Sequence, residues 1–145
     1  MTFSEKITED LKSAMKSGDK KRLETIRMLR AQILEFEKKG LNRAMTDEDA
    51  LQILTTAVKK RKESIEIYEK AGRIDLAEGE KQEVEIISEY LPKQMTREEA
   101  EAIITKIIGE SVAKEMSKIM PLAMKELKGK IDGKIINEIV KQKLS

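Results

Sequence analysis

The sequence predicts an all-α protein made of two helical parts. Apolar residues recur every three or four positions through nearly all of its 145 residues, glycines follow these runs, and Thr or Asp with an acid nearby precedes them. With 39% charged residues, 3% aromatic residues and no Trp, the interior must be built from Ile, Leu, Met, Val and Ala. A chain of this size buries roughly two thirds of its unfolded surface, so such a core needs no covalent staple.

Thr2 with Glu5 opens a first helix running to about Ser17, with Phe3, Ile7, Leu11, Ala14 and Met15 inward and Gly18 past its end. Asp19 opens a second, Lys20 to Lys39, stopped by Gly40; its Leu23, Ile26, Leu29, Ile33 and Phe36 suit a hairpin with the first. Thr46, ahead of Asp47 to Asp49, starts a third helix from Asp47 to Ala71. Leu51, Leu54, Ala57, Val58, Ile65 and Tyr68 form its stripe, interrupted by Arg61 and ended at Gly72. Asp75 with Glu78 opens a fourth, Leu76 to Tyr90, carrying Gly79 within it and Val84, Ile87 and Leu91 inward.

Pro92 stops that helix, and a boundary at Leu91 to Gln94 separates an N-terminal helical domain, 1–91, from a small C-terminal helical domain, 95–145. Thr96 with Glu99 restarts the pattern in the capping-box arrangement. Ala100, Ile103, Ile104, Ile107 and Ile108 follow, then Met116, Ile119, Met120, Ala123, Met124 and Leu127, then Ile135, Ile136, Ile139, Val140 and Leu144. Gly109 and Gly129 read as the stops between them. MTDEDALQIL at Met45 and MTREEAEAII at Met95 share residues at matching positions, as two helix starts obeying one capping rule would.

The chain has no Cys and no His, which excludes disulfides, thiolate chemistry and the usual general base of nucleophilic triads. Ser64, Ser88, Ser111 and Ser117 have neither a histidine partner nor a Gly-rich elbow, and no close carboxylate pair interrupts an apolar stripe. No catalytic residue, metal or cofactor is expected. The opening MTFSEKITEDLK is acidic where a signal peptide is basic, and no segment approaches the ~20 apolar residues of a membrane span, so a cytoplasmic protein without a membrane partner is expected. Lys and Arg number 29 against 27 Asp and Glu, too even for general attraction to a polyanion. Residues 95–145 hold the excess, with 10 basic and 8 acidic side chains.

That excess gathers around KELKGKIDGK, Lys125 to Lys134. A P-loop needs a sixth-position glycine followed by Lys and a hydroxyl; here Gly129 and Gly133 are one residue too close and Ile135 replaces the hydroxyl, so nucleotide binding is rejected. The stretch reads as a turn in which Gly129 ends one helix, Ile131 packs, Asp132 caps the next and Gly133 leaves room for close approach. Lys125, Lys128, Lys130, Lys134, Lys141 and Lys143 cluster there against only Glu126, Asp132 and Glu138. Open amides at a helix start together with lysines suit a phosphate of a folded RNA, although the Asp132 cap occupies some of those donors.

Lys59-Lys60-Arg61-Lys62 is followed by Glu63, Glu66 and Glu69 and reads as a solvated, ion-paired face, with Arg61 the exception inside the apolar stripe. Arg27 and Arg30 stand within reach of Glu24 and Glu35 or of a partner. Met116, Met120 and Met124 recur every four residues; core filling is the first reading, and a face for a partner helix or a second copy is the alternative.

Four ordered stretches, EDLKSAMKSGDKKRLETIRMLRAQI, KKRKESIEIYEKAGRIDLAEGE, EYLPKQMT and KELKGKIDGKIINEIVKQKL, resemble the bacterial YqeY proteins over essentially the whole chain. These are similar in turn to the helical and tail regions of GatB, the component carrying tRNA recognition in the glutamine-dependent Asp/Glu-tRNA amidotransferase. The resemblance implies an all-helical protein with a GatB-tail-like C-terminal domain, and tRNA or amidotransferase subunits as partners. It implies a carbon–nitrogen ligase label taken from the shared domain, with no residues here for either half-reaction. The family-like surface maps to Lys128, Gly129, Lys130, Asp132, Gly133, Lys134 and Asn137, and with Lys125 these are the nucleic-acid-binding candidates. Two positions depart from the family pattern: Ile131 stands where a small residue is common, and Ser117 where a glycine is.

Overall fold

The structure, a computed structural model, describes residues 2–39 and 45–145; the stop expected at Gly40 lies outside them. Among the described residues there are seven helices and no strand: α1 (Phe3–Ser17), α2 (Lys20–Lys38), α3 (Asp47–Lys70), α4 (Ile74–Ser88), α5 (Arg97–Glu110), α6 (Met116–Leu127) and α7 (Gly133–Leu144). The all-α class follows directly. The chain falls into two compact units, Met1–Leu91 and Pro92–Ser145.

Most helix starts are held as the local chemistry dictates. The Thr2, Asp19, Thr46 and Thr96 side chains accept from backbone amides three residues on, and Thr46 with Asp49 and Thr96 with Glu99 close full capping boxes. The similarity of the Met45 and Met95 stretches is therefore that of two capped starts. Gly18, Gly72 and Gly129 take the left-handed conformation that ends a helix. Gly109 does not; it lies inside α5, which ends at Ser111 in extended conformation. α4 starts slightly earlier than its acids suggest, at Ile74 with Arg73 as its uncapped N-cap. The Asp75 carboxylate is engaged by Arg73 at 3.3 Å, which also holds it below its ordinary pKa.

In the first unit Ile7, Ile26, Leu29, Ile33, Leu54 and Ile87 are fully or almost fully buried. Met15, expected inward, is 57% exposed, because it lies a 100° step round the helix from Ala14, beyond the edge of the Ile7–Leu11–Ala14 stripe. α4 packs against both α3 and α2, which buries Ala77 and Ile86 in addition to Ile87. Polar ties close the seams between helices. Glu83 of α4 takes Arg61 of α3 at 3.3 Å and Lys21 of α2 at 3.7 Å, and Arg61 also donates to the Ala57 carbonyl at 3.0 Å. Arg61, 14% exposed, is thus a structural cation inside the stripe. The Tyr90 hydroxyl donates to Asp10 at 2.6 Å and its ring meets Phe3 edge-on, while Arg22 bonds Glu89 at 2.7 Å. Burial and then the Asp10 bond raise the Tyr90 pKa.

In the second unit Ile104, Ile119, Leu127, Ile136, Ile139 and Val140 form the core. Met116, Met120 and Met124 are half-buried and packed against it, which is the core-filling role. Arg97 ties α5 to α7 by reaching Glu138 at 3.2 Å and Gln142 at 3.3 Å.

Replacing Arg61 by Ala leaves the half-buried Glu83 with the longer Lys21 contact as its remaining ion pair and is expected to cost about 2 kcal/mol in urea unfolding, whereas Lys59→Ala at an exposed position changes it by under about 0.5 kcal/mol. Burial, and then the neighbouring Glu83, raise the pKa of Glu80. A raised carboxyl favours the fold below its unfolded pKa and loses that contribution as pH rises through the folded value. Glu80→Gln is therefore expected to raise the melting temperature at pH 7 and to leave it unchanged below about pH 4, the range of an unfolded Glu.

Candidate nucleic-acid interface

The lysine-rich stretch is the α6–α7 turn, and its shape is set by a small number of backbone bonds. Lys128 ends α6 with its amide bonded to Met124, and the Lys130 amide turns back to Leu127 at 2.9 Å. Between them Gly129 adopts φ +80°, a conformation that strains any residue with a Cβ. Gly129 is buried, and its carbonyl accepts from the Gln94 side-chain amide at 2.7 Å. The Lys130 carbonyl accepts from the Met95 amide at 2.7 Å. Ile131 is half-buried against the second core, so the departure from a small residue places a packing group rather than an obstacle on the surface.

At the start of α7 the Asp132 carboxylate accepts from the Lys134 amide at 3.0 Å, and the Asp132 carbonyl accepts from the Ile135 and Ile136 amides. Of the first four amides of the helix, only that of Gly133 has no partner. The open set of donors expected for a phosphate is thus largely closed by Asp132. Gly133 is also not required by crowding: an added Cβ would lie 3.8 Å from the Met124 methyl, an ordinary contact.

The cations stand differently. Lys125 and Lys134 are exposed, Lys128 and Lys130 are half-buried, and Lys141 and Lys143 are exposed. None of the six is in an ion pair, and Glu138, the acid on the same helix, is engaged by Arg97. Lys134, Asn137 and Lys141 recur at helical spacing and are all exposed, opposite the buried Ile136, Ile139 and Val140. Of the sequence candidates, Lys125, Lys128, Lys130, Lys134 and Asn137 line or flank this surface. Gly133 borders it with its free amide, and Gly129 supports it from within.

Gln94 and Met95 fall in EYLPKQMT, one of the four family-like stretches, but their contact with the turn has no local signal. They lie in the stretch that reads as a domain boundary, and nothing local marks a contact spanning 35 residues of sequence. The other basic stretches do not match this one. Arg61 is tied to Glu83, and on the face expected to be ion-paired Glu66 meets Lys70 at 3.3 Å while Lys59, Lys60 and Lys62 do not pair with Glu63, Glu66 or Glu69. Lys59, Lys60 and Lys62, like Arg27 and Arg30, are exposed without an ion pair.

Fold and surface together define a two-unit helical protein with an unpaired cationic turn in its second unit. The chain belongs to the Yqey-like protein family, whose model matches residues 4–144. It is similar to an uncharacterized protein of Schizosaccharomyces pombe, 36% identical over 87 residues, covering 60% of this chain and 70% of that one. It is similar to the Candida glabrata protein named altered inheritance of mitochondria protein 41, mitochondrial, 33% identical over 128 residues, covering 87% and 69%. A more distant likeness is to a glutamyl-tRNA(Gln) amidotransferase subunit of Methanococcus maripaludis, 29% identical over 123 residues, covering 80% of this chain but 20% of that one. No helix among the described residues is long and apolar enough to cross a membrane.

The turn itself is testable through its glycines. Gly129→Ala is expected to destabilise the protein by about 1–2 kcal/mol through its positive φ. Gly133→Ala, at an unstrained helix position, is expected to be neutral or to stabilise by up to about 1 kcal/mol. Chemical unfolding followed by circular dichroism measures both.

Proposed function

We propose that this protein is a binding module, without a catalytic centre of its own, that holds tRNA, or a tRNA-bound amidotransferase assembly, through the α6–α7 turn. The observation that carries this reading is that the four lysines at the turn, Lys125, Lys128, Lys130 and Lys134, are in no ion pair and project from a backbone tied at Gly129 and Lys130, while Arg97 is committed to the fold. Ammonium groups carried on a backbone already held spare the cost of ordering a loop on meeting phosphates, and neutralising the phosphates releases the counterions of the nucleic acid. The likeness to part of a glutamyl-tRNA(Gln) amidotransferase supports the choice of RNA. Without His or Cys, the chain lacks the usual general base and thiolate nucleophile, so a ligase label would describe the relatives that share the domain. We place the role in the cytoplasm; the word mitochondrial belongs to the names of the yeast relatives.

The structure favours this over a methionine-faced adaptor, since those methionines are engaged by the second core. The test is affinity for total tRNA at two salt concentrations. Lys130→Glu combined with Lys134→Glu is expected to weaken binding at least tenfold and to reduce the slope of log K against log salt by about 2, one for each lost phosphate contact. Unchanged affinity and slope would remove the turn from any RNA interface.

A further inference from the structure

Proteins that recognise unpaired RNA bases do so with planar groups, aromatic rings or arginine guanidinium groups, on which a splayed base stacks. The unit that carries the α6–α7 turn keeps neither free. All four rings of the chain, Phe3, Phe36, Tyr68 and Tyr90, belong to the first unit. Arg97 is the single arginine from Pro92 to Ser145, and its guanidinium is committed to Glu101 and Glu138 at 3.2 Å and to Gln142 at 3.3 Å. The cations left for a nucleic acid are lysines, compact charges that suit a phosphate and do not stack.

α7 sets two of these lysines in line. Lys134 and Lys141 stand two turns apart, about 10 Å along the axis and only about 20° apart around it. Asn137 lies between them along the axis, about 60° round from Lys134. All three are exposed, with Ile136, Ile139 and Val140 buried on the other side of the helix. Glu138, the acid that flanks the line, is held by Arg97. Neither lysine is in an ion pair, and the Asn137 side chain makes no hydrogen bond within the fold, so its carbonyl acceptor and its amide donors are all open.

A cation, an amide and a second cation along one helix face match a double-helical RNA stem. The major groove of such a stem is too deep and narrow for side chains to read, whereas its minor groove is wide and shallow and displays ribose 2′-hydroxyls between the two phosphate backbones. A 2′-hydroxyl both donates and accepts, as the Asn amide does. Building on the RNA reading of the turn, we infer that α7 lies on the minor groove of an RNA stem, with Lys134 and Lys141 on phosphates and Asn137 on a 2′-hydroxyl. The protein then recognises the shape and sugar of a duplex rather than its base sequence, and Asn137 is the residue that separates RNA from DNA.

The test uses the full chain and labelled total tRNA at low salt, displaced by an RNA hairpin, by the same hairpin with its stem pairs inverted, by one strand of the stem alone, and by the hairpin made as DNA. Stem recognition requires that the two RNA hairpins compete within about twofold of each other and that the single strand and the DNA hairpin compete at least about tenfold more weakly. Asn137→Ala is expected to weaken the RNA hairpin by about threefold or more and to leave the DNA hairpin and the melting temperature unchanged. Lys141→Ala is expected to weaken both hairpins alike and to lower the salt slope by about 1. A single strand that competes as well as the hairpin, a dependence on stem sequence of about tenfold, or an RNA-to-DNA ratio that Asn137→Ala leaves unmoved overturns the inference. A chain that binds tRNA but is displaced by neither RNA hairpin loses the stem alone, whereas a chain that binds no tRNA loses the turn as an RNA surface as well.

Discussion

Aliphatic burial has no direction, and this protein has almost nothing else with which to fill its interior. With so few rings and no His, Cys or Trp, a core of Ile, Leu, Ala and Met would tolerate helices sliding against one another. The constraint that removes this freedom is a short set of charged seams. Glu83 gathers Arg61 and Lys21 from two neighbouring helices, and Arg97 joins α5 to α7. The Glu83–Arg61 seam lies at the edge of the first core, where partial desolvation strengthens the contact without the full penalty of burying a charge, whereas the Arg97 seam is open to solvent and acts through its geometry.

The same separation of roles shapes the surfaces. The cations that tie one helix to another, Lys21, Arg61 and Arg97, are paired, whereas the cations outside any ion pair among the described residues are spread over α1, α2, α3, α5 and α6 as well as the α6–α7 turn. The turn stands apart because its backbone is fixed at two carbonyls, by the Gln94 side chain and the Met95 amide. A lysine on a mobile loop would have to be ordered on binding; these project from a backbone already held.

What could be read from the sequence follows the range of the interactions involved. Capping boxes at Thr46 and Thr96 act over three residues and were legible, as were the all-α class and the position of Arg61 as an anomaly in its stripe. Asp75 misled because its carboxylate has a competing partner, Arg73, that a capping rule does not weigh. Met15 misled because a stripe has an edge that spacing alone draws too wide. At Gly109 the helix simply continues, since a glycine permits a stop without requiring one. The lysines of the site were visible as composition, but the occupied amides at the start of α7 and the anchoring of the turn by Gln94 depend on contacts made through the fold.

The anchoring of Gly129 and Lys130 by residues that precede α5 has a practical corollary for anyone dissecting the chain. The segment from Pro92 to Met95 resembles a disposable tether, yet a fragment cut at Thr96 would retain all three C-terminal helices while releasing both ends of the clamp on their connecting loop. Excision of this unit should therefore keep those four residues, since the shortest piece that folds is not the shortest piece that holds its charges in place.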